Sequence, residues 1–181
     1  VSQNTALTSL NCGMNYVLTS LNVSQNTALT SLGCGSSQLT SLDVSQNTVL
    51  TTLYCSYNQL TSLDVSQNTA LATLHCNNNQ LTSLDVSQNT ALTSLHCNNN
   101  QLTILDMRGV NYVYMKNIHA LVNNLYVMRN DFSAYENPNL YCISVDNVAH
   151  SEEWWRDQVG LVFPDEALAT DAHCSFSENC P

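Results

Sequence analysis

A repeat of about 21 residues dominates the sequence and limits the folds open to it. Cysteines recur at intervals of 21 or 22 residues, at Cys12, Cys34, Cys55, Cys76 and Cys97. Around each lies the pattern L-x-x-L-x-C-x-x-N, with clear copies at LTTLYCSYN (50–58), LATLHCNNN (71–79) and LTSLHCNNN (92–100). Because a repeat this short cannot bury its apolar face alone, successive copies must stack as the coils of a solenoid.

Alternation within each repeat predicts which side chains face the core. Around Cys97, we expect Leu95 and Cys97 on the inward face and Ser94, His96 and Asn98 on the outward face. The second half of each repeat, L-T-S-L-D-V, alternates as well, with its second leucine and its valine inward and its serine and aspartate outward. We therefore predict coils with two walls around one narrow core, stacked about 4.8 Å apart.

Two columns of asparagines are predicted to satisfy the turns of the coils. Turns leave backbone N–H and C=O groups that strands do not bond, and asparagine tolerates turn dihedral angles. The first column comprises Asn58, Asn79 and Asn100, with Ser37 at the equivalent place in the second repeat. The second column, in the VSQN segments, comprises Asn26, Asn47, Asn68 and Asn89. We expect both columns to bond the backbone from coil to coil.

The repeat resembles that of the leucine-rich repeat family in its short bacterial form. The L-x-x-L-x-[LC]-x-x-N core recurs five times, and residues 65–85 differ from 86–106 at only three positions. The resemblance covers residues 1–107. It implies a leucine-rich repeat solenoid of the α/β repeat class, mostly strand and loop, built as a right-handed stack of coils with a parallel sheet on its concave side.

We interpret the repeated cysteine as a core residue. An unpaired cysteine behaves as a small apolar side chain and is among the most buried residue types. Parallel side-chain directions disfavour disulfides between neighbouring coils. The sequence contains no C-x-x-C spacing of the kind that binds zinc.

The repeat pattern decays after Leu105. We predict two irregular terminal coils over residues 108–141 and a cap over residues 142–181, since the last coil of a solenoid must be covered. The segments NPNLYCISVD (137–146) and DAHCSFSENC (171–180) resemble the end of leucine-rich repeat proteins secreted by Bacteroidetes, especially flavobacteria. This resemblance implies a disulfide between Cys142 and Cys180 that clamps the cap, with Cys174 unpaired. A disulfide agrees with an extracellular or cell-surface location.

The charge of the chain excludes several classes of function. Its formal net charge is −10, and its four cations all lie beyond residue 107. Nucleic-acid binding needs a basic surface, and anionic membranes repel an acidic protein. No apolar run approaches the roughly 20 residues of a membrane span. The chain begins in mid-repeat without a visible signal peptide, so we expect it to be a piece of a longer, processed protein.

We predict a recognition module rather than an enzyme. The sequence contains no common catalytic or phosphate-binding motif, and we predict no cofactor and no metal. The outward column beside the core cysteines changes from repeat to repeat, reading Asn11, Gly33, Tyr54, His75 and His96. We interpret Tyr54, Tyr57, His75 and His96 as the anchors of a surface that binds a protein or a polysaccharide.

Three alternatives stay open at this point. In the first, the module is a spacer or stalk of a larger surface adhesin. In the second, an outward threonine column orders water and binds ice. In the third, calcium bridges an aspartate column that otherwise forms a solvated face. The threonines are Thr19, Thr40, Thr61, Thr82 and Thr103, and the aspartates are Asp43, Asp64, Asp85 and Asp106.

Overall fold

A computed structural model describes residues 3–110 without a break, and beyond them residues 121–122, 125–126, 132–133, 137, 140, 142–144 and 175–177. These residues contain twelve short strands and no helix. The strands are β1 (Ser9–Asn11), β2 (Ser31–Gly33), β3 (Thr52–Tyr54), β4 (Thr73–His75), β5 (Ser83–Asp85), β6 (Ser94–His96), β7 (Ile104–Asp106), β8 (Leu121–Val122), β9 (Leu125–Tyr126), β10 (Phe132–Ser133), β11 (Cys142–Ser144) and β12 (Ser175–Ser177).

Two parallel sheets form the two walls of the solenoid. The first sheet has the order β1-β2-β3-β4-β6-β10, and the second has the order β12-β11-β7-β5. From β1 to β6 the register of the first sheet advances by one repeat per strand, so that Leu53 pairs with Leu32 on one side and Leu74 on the other. Strands β8 and β9 form a separate antiparallel pair. The predicted parallel-strand solenoid with coils of about 21 residues is confirmed.

The core lies between the sheets and is made of leucine, valine and cysteine. Leu95, Cys97 and Val86 are fully buried, and Leu84 is nearly so, as the alternation predicts. The outward assignment of Asn98 is wrong, because its side chain is buried. Strand β6 ends at His96, so the two-residue alternation no longer applies where the chain turns.

The first asparagine column bonds the backbone as predicted. The Nδ2 group of Asn79 donates to the carbonyl oxygens of Cys55 (3.1 Å) and Cys76 (2.9 Å). Its Oδ1 atom accepts the N–H of Leu60 at 3.1 Å. One side chain therefore satisfies backbone groups in two successive coils, and Asn58 and Asn100 repeat this arrangement.

The second asparagine column is also confirmed, with a different balance of bonds. The Nδ2 group of Asn68 donates to the carbonyl oxygens of Val44 (3.0 Å) and Asn47 (2.9 Å) in the preceding coil. The Oδ1 atoms of Asn47, Asn68 and Asn89 are buried and accept no hydrogen bond from the described part of the chain. This column thus connects coils through its amide donors alone.

Both sheets gain strands beyond the regular repeats, at wider sequence offsets. Strand β10 pairs directly with β6, with Phe132 opposite Leu95, an offset of 37 residues in place of 21. Asn137 is fully buried, accepts the N–H of Leu102 at 2.9 Å and donates to the carbonyl oxygen of Cys97 at 3.1 Å. It thereby continues the first asparagine column.

Most of residues 108–141, where we expect two irregular coils, lie outside the described residues, and this expectation stays a prediction. The predicted boundaries at residues 107/108 and 141/142 stay predictions. The predicted disulfide depends on the side chains of Cys142, Cys174 and Cys180, which lie outside the described residues.

Candidate recognition surface

Three of the predicted anchor residues form one continuous column of rings on the first sheet. Tyr54, His75 and His96, here called the aromatic column, lie on successive rungs in exact register. The rings of Tyr54 and His75 meet edge to face, with centroids 4.9 Å apart. Those of His75 and His96 are stacked at 4.1 Å and 4°. This contact follows from the spacing of in-register strands.

The aromatic column lies on the outward side of the sheet. Tyr54 is 44% exposed, whereas Leu53 beside it is fully buried. His75 and His96 are half-buried, and Nε2 of His75 lies 3.3 Å from the hydroxyl of Ser94. The column therefore offers a partner ring surface together with hydrogen-bonding atoms, a combination suited to binding.

Tyr57, the fourth predicted anchor, lies in the turn that follows β3. Its backbone has a positive φ of 56°, and its side chain is exposed. The equivalent residues of the other coils share this left-handed conformation and are Met14, Ser36, Asn78 and Asn99. We call these five residues the left-handed column. Tyr57 thus belongs to a turn column beside the sheet rather than to the aromatic column.

A shallow groove that we did not predict lies at the N-terminal part of the same surface. It is lined by Asn11, Gly13, Met14, Gly33, Gly35, Ser36 and Tyr54. Its base lacks side chains: a Cβ atom on Gly35 would lie 2.9 Å from the carbonyl oxygen of Ser56. The signal was present in the sequence, because glycine follows the cysteine only in the first two repeats.

The aspartate column of the second sheet serves the backbone. Oδ1 of Asp64 accepts the N–H of Ser66 at 2.9 Å, and this bond holds the pKa of the carboxyl below its ordinary value. Asn22, an uncharged residue, occupies the equivalent place in the first coil and accepts the N–H of Ser24 at 3.0 Å. The position therefore needs an acceptor rather than a charge.

No three histidine, cysteine, aspartate or glutamate side chains converge as metal ligands within the described residues. The core cysteines are unpaired thiols. Burial raises the pKa of Cys34 and Cys97 to about 12 and raises those of Cys55 and Cys76 well above the ordinary value. Since only the thiolate is a good nucleophile or ligand, these thiols are inert in the folded protein.

Comparisons with known proteins agree with this architecture. A family model described as Leucine Rich repeats (2 copies) matches residues 48–89. No curated protein matches the chain. In the part of the chain that the structure describes, no helix has the length and apolar character needed to cross a membrane.

Two solved structures from Listeria monocytogenes are similar to the chain. The functional domain of InlJ, which includes a cysteine ladder, is 30% identical over 81% of this chain, with a TM-score of 0.59. An internalin, inlF, is 16% identical over 99% of this chain, with a TM-score of 0.57, and its likeness concerns the fold. The chain spans 37% of the first structure and 50% of the second.

The narrower resemblance to flavobacterial proteins is not among these findings and stays a prediction. The parallel-strand solenoid with coils of about 21 residues matches these neighbours. The description of the InlJ domain also names a cysteine ladder, and this chain has a column of buried cysteines. The fold is that of a leucine-rich repeat solenoid, and the family model matches two of its coils.

Proposed function

We propose that this solenoid is a non-enzymatic recognition module that binds a partner protein through the outward face of the first sheet. The leucine-rich repeat fold is commonly a protein-binding module. Tyr54, Tyr57, His75 and His96 are the proposed contact residues. We place the protein outside the cell or at its surface, a location supported by the disulfide predicted between Cys142 and Cys180.

The observation that carries this proposal is the aromatic column. Among the described residues, the outward aspartate position of the second wall is constant from coil to coil and bonds the backbone. The column changes from asparagine and glycine to tyrosine and histidine along the coils. Large, rigid side chains with a polar end contribute most of the binding energy in protein interfaces.

The experiment compares the two walls of the solenoid. Purified protein is first screened on a protein array and a glycan array. Each ligand found is then titrated against two double variants. One carries Tyr54→Ala and His75→Ala, and the other carries Asp64→Asn and Asp85→Asn. We expect the first pair to raise the Kd at least about tenfold and to change the free energy of unfolding by no more than about 0.5 kcal/mol. If only the aspartate pair loses binding, the second sheet is the recognition surface.

A spacer or stalk is the second candidate, favoured by the near identity of residues 65–85 and 86–106. A spacer has no ligand of its own. Arrays that give no hit at high protein concentration would support it over recognition. The ice-binding alternative rests on a threonine column whose first four members, Thr19, Thr40, Thr61 and Thr82, are exposed. An ice-growth inhibition assay tests it directly.

A further inference from the structure

One position of the second wall departs from the repeat in a way that changes its chemistry. The segment that reads LDVSQN in three repeats reads LNVSQN at 21–26, so that Asn22 stands where the other copies have aspartate. This change creates the triplet Asn22-Val23-Ser24. An asparagine followed two residues later by serine or threonine, with any residue except proline between them, is the acceptor signal for N-linked glycosylation.

The triplet is the only one of its kind in the chain, although the chain is rich in asparagine. The asparagines of the first column at positions 58, 79 and 100 have leucine two residues later. Those of the second column have alanine or valine there. The asparagines that recur for structural reasons therefore lack the signal, and the one that replaces an aspartate carries it.

The structure leaves the reacting atom of Asn22 unbonded. The side chain is exposed, and its Oδ1 atom accepts the backbone N–H of Ser24 at 3.0 Å. Its Nδ2 group makes no hydrogen bond to any residue in the described part of the chain. The backbone thus fixes the amide oxygen of an exposed side chain, and the amide nitrogen is available for reaction.

The residues that follow Asn22 hold the triplet in an accessible turn. Val23 is fully buried and anchors the segment in the core, whereas Ser24 is half-buried. The N–H of Asn26 donates to the carbonyl oxygen of Val23 at 2.9 Å, which closes a tight turn through Ser24 and Gln25. An attached glycan is bulky and hydrated, so acceptor asparagines lie on the surface of exported proteins. The triplet meets this requirement in the folded chain.

We propose that Asn22 is an acceptor site for an N-linked glycan when the chain is exported. The donor is an oligosaccharide carried on a lipid diphosphate. The transfer forms a bond between Nδ2 of Asn22 and the anomeric carbon of the first sugar, and it breaks the bond between that carbon and the diphosphate oxygen. One proton passes from Nδ2 to the departing diphosphate, and nothing is oxidised or reduced. This inference rests on the extracellular location in the proposed function and goes beyond the recognition role.

A glycan at this place is compatible with the proposed recognition surface. Asn22 occupies the aspartate position of the second wall, where Asp85 lies on β5. The aromatic column lies on the first sheet, on the other side of the core. A hydrated group on Asn22 covers part of the constant wall and leaves the rings uncovered.

The experiment uses the whole chain, expressed behind a removable export signal in a eukaryotic cell line that secretes proteins. The secreted protein is weighed by mass spectrometry before and after treatment with peptide N-glycosidase, which removes an N-linked glycan and converts its asparagine to aspartate. Residues 1–107 contain no lysine or arginine, so chymotrypsin is used in place of trypsin to locate the converted residue. We expect wild type to lose the mass of one oligosaccharide and the converted residue to be Asn22.

Two variants remove the signal and keep the turn. Asn22→Asp installs the residue that the next coil has as Asp43, whose Oδ1 atom accepts the equivalent serine N–H at 2.9 Å. It also has the same covalent structure as the enzyme-treated wild type. Ser24→Ala keeps Asn22 and removes the hydroxyl that the signal requires. We expect both variants to be secreted without a glycan.

A matched variant moves the signal by one coil. Asp43→Asn, made in the Asn22→Asp background, creates the same triplet with Val44 and Ser45, which are buried and half-buried like their equivalents in the first coil. We expect this variant to regain one oligosaccharide. A glycan on this variant but not on wild type would show that the host and the turn are competent, and it would overturn Asn22 as an acceptor.

Two other results would also overturn the proposal. The first is secreted wild type that is unmodified in every preparation, and the second is a mass loss that persists in Asn22→Asp. None of these measurements needs a ligand. Arrays without a hit would therefore count against the proposed function and leave the assignment of Asn22 to be decided by its own mass.

Discussion

The outward faces of the two sheets are built from the same repeat but differ in how much the residue types vary. On the second wall, one position is aspartate in four successive coils. In three of them, the side chain of Asp43, Asp64 or Asp85 accepts the backbone N–H of the serine two residues later. On the first sheet the aromatic column and its continuation run through four residue types in five coils. The first face is varied and the second is constant.

This difference shows what keeps a residue the same from coil to coil in this chain. A side chain that bonds the backbone of its own or a neighbouring coil meets the same geometry on every rung, so the same chemistry recurs. A side chain that points away from both the core and the backbone is free of that requirement. Variation is therefore expected where the surface serves something other than the fold.

The largest effect that we predict concerns the buried cysteine column and alkaline pH. The pKa values of Cys34, Cys55, Cys76 and Cys97 are raised by burial from an ordinary value near 9.0. Above pH 9 the unfolded chain loses these protons while the folded protein keeps them, so stability is complete below pH 9 and falls as pH rises towards 12. Each thiol contributes about 1.4 kcal/mol per pH unit.

Urea unfolding between pH 8 and pH 11 measures this dependence. The variant Cys76→Ala should be less stable at pH 8 but should show a smaller slope than the wild type. A stability that does not change up to pH 11 would contradict the burial of these thiols.

The next effect separates the two asparagine columns. Asn79→Ala removes partners of two buried carbonyl oxygens and one buried N–H, and should lower the free energy of unfolding by about 3 kcal/mol or more. Asn68→Ala removes two donor bonds and also a buried oxygen without a partner in the described chain, so its cost should be smaller, about 2 kcal/mol. Equal losses in urea unfolding would show that the unpaired oxygen carries no penalty.

Much of this architecture could be predicted from the sequence because the repeat applies the same rule five times. The inward leucines and cysteines, both asparagine columns and the aromatic column follow from spacing alone. The pairing of β10 with β6 could not, since its offset of 37 residues departs from the period of the repeat. The groove and the left-handed conformation of Met14 were missed because backbone conformation at a turn is not visible in a pattern of apolar residues.

A smaller effect is a gain in stability at the one irregular place in the first asparagine column. Ser37 stands where the other coils have asparagine, and its buried hydroxyl has no partner in the described chain. By analogy with Asn58, an asparagine there would donate to the carbonyl oxygens of Cys12 and Cys34. Ser37→Asn should raise the free energy of unfolding by about 1 kcal/mol. The control Ser37→Ala only removes the hydroxyl. If it raises the free energy of unfolding as much as Ser37→Asn does, the gain comes from removing the unpaired hydroxyl rather than from new hydrogen bonds.

The smallest effect tests the constant face itself. Replacing Asp64 and Asp85 with asparagine keeps the Oδ1 acceptor for the serine N–H groups, as Asn22 does naturally in the first coil. We therefore expect the free energy of unfolding at pH 7 to change by no more than about 0.5 kcal/mol, because exposed charges contribute little. Below about pH 4 the wild type should lose stability relative to the variant, since the lowered pKa of Asp64 means that its contribution disappears as the carboxyl is protonated.

Replacing the same two residues with alanine removes the acceptor and should cost about 1 kcal/mol for each N–H left without it. If asparagine were as costly as alanine, the charge rather than the hydrogen bond would be what keeps this face constant, and a cation bound between the rungs would become the better explanation of the column.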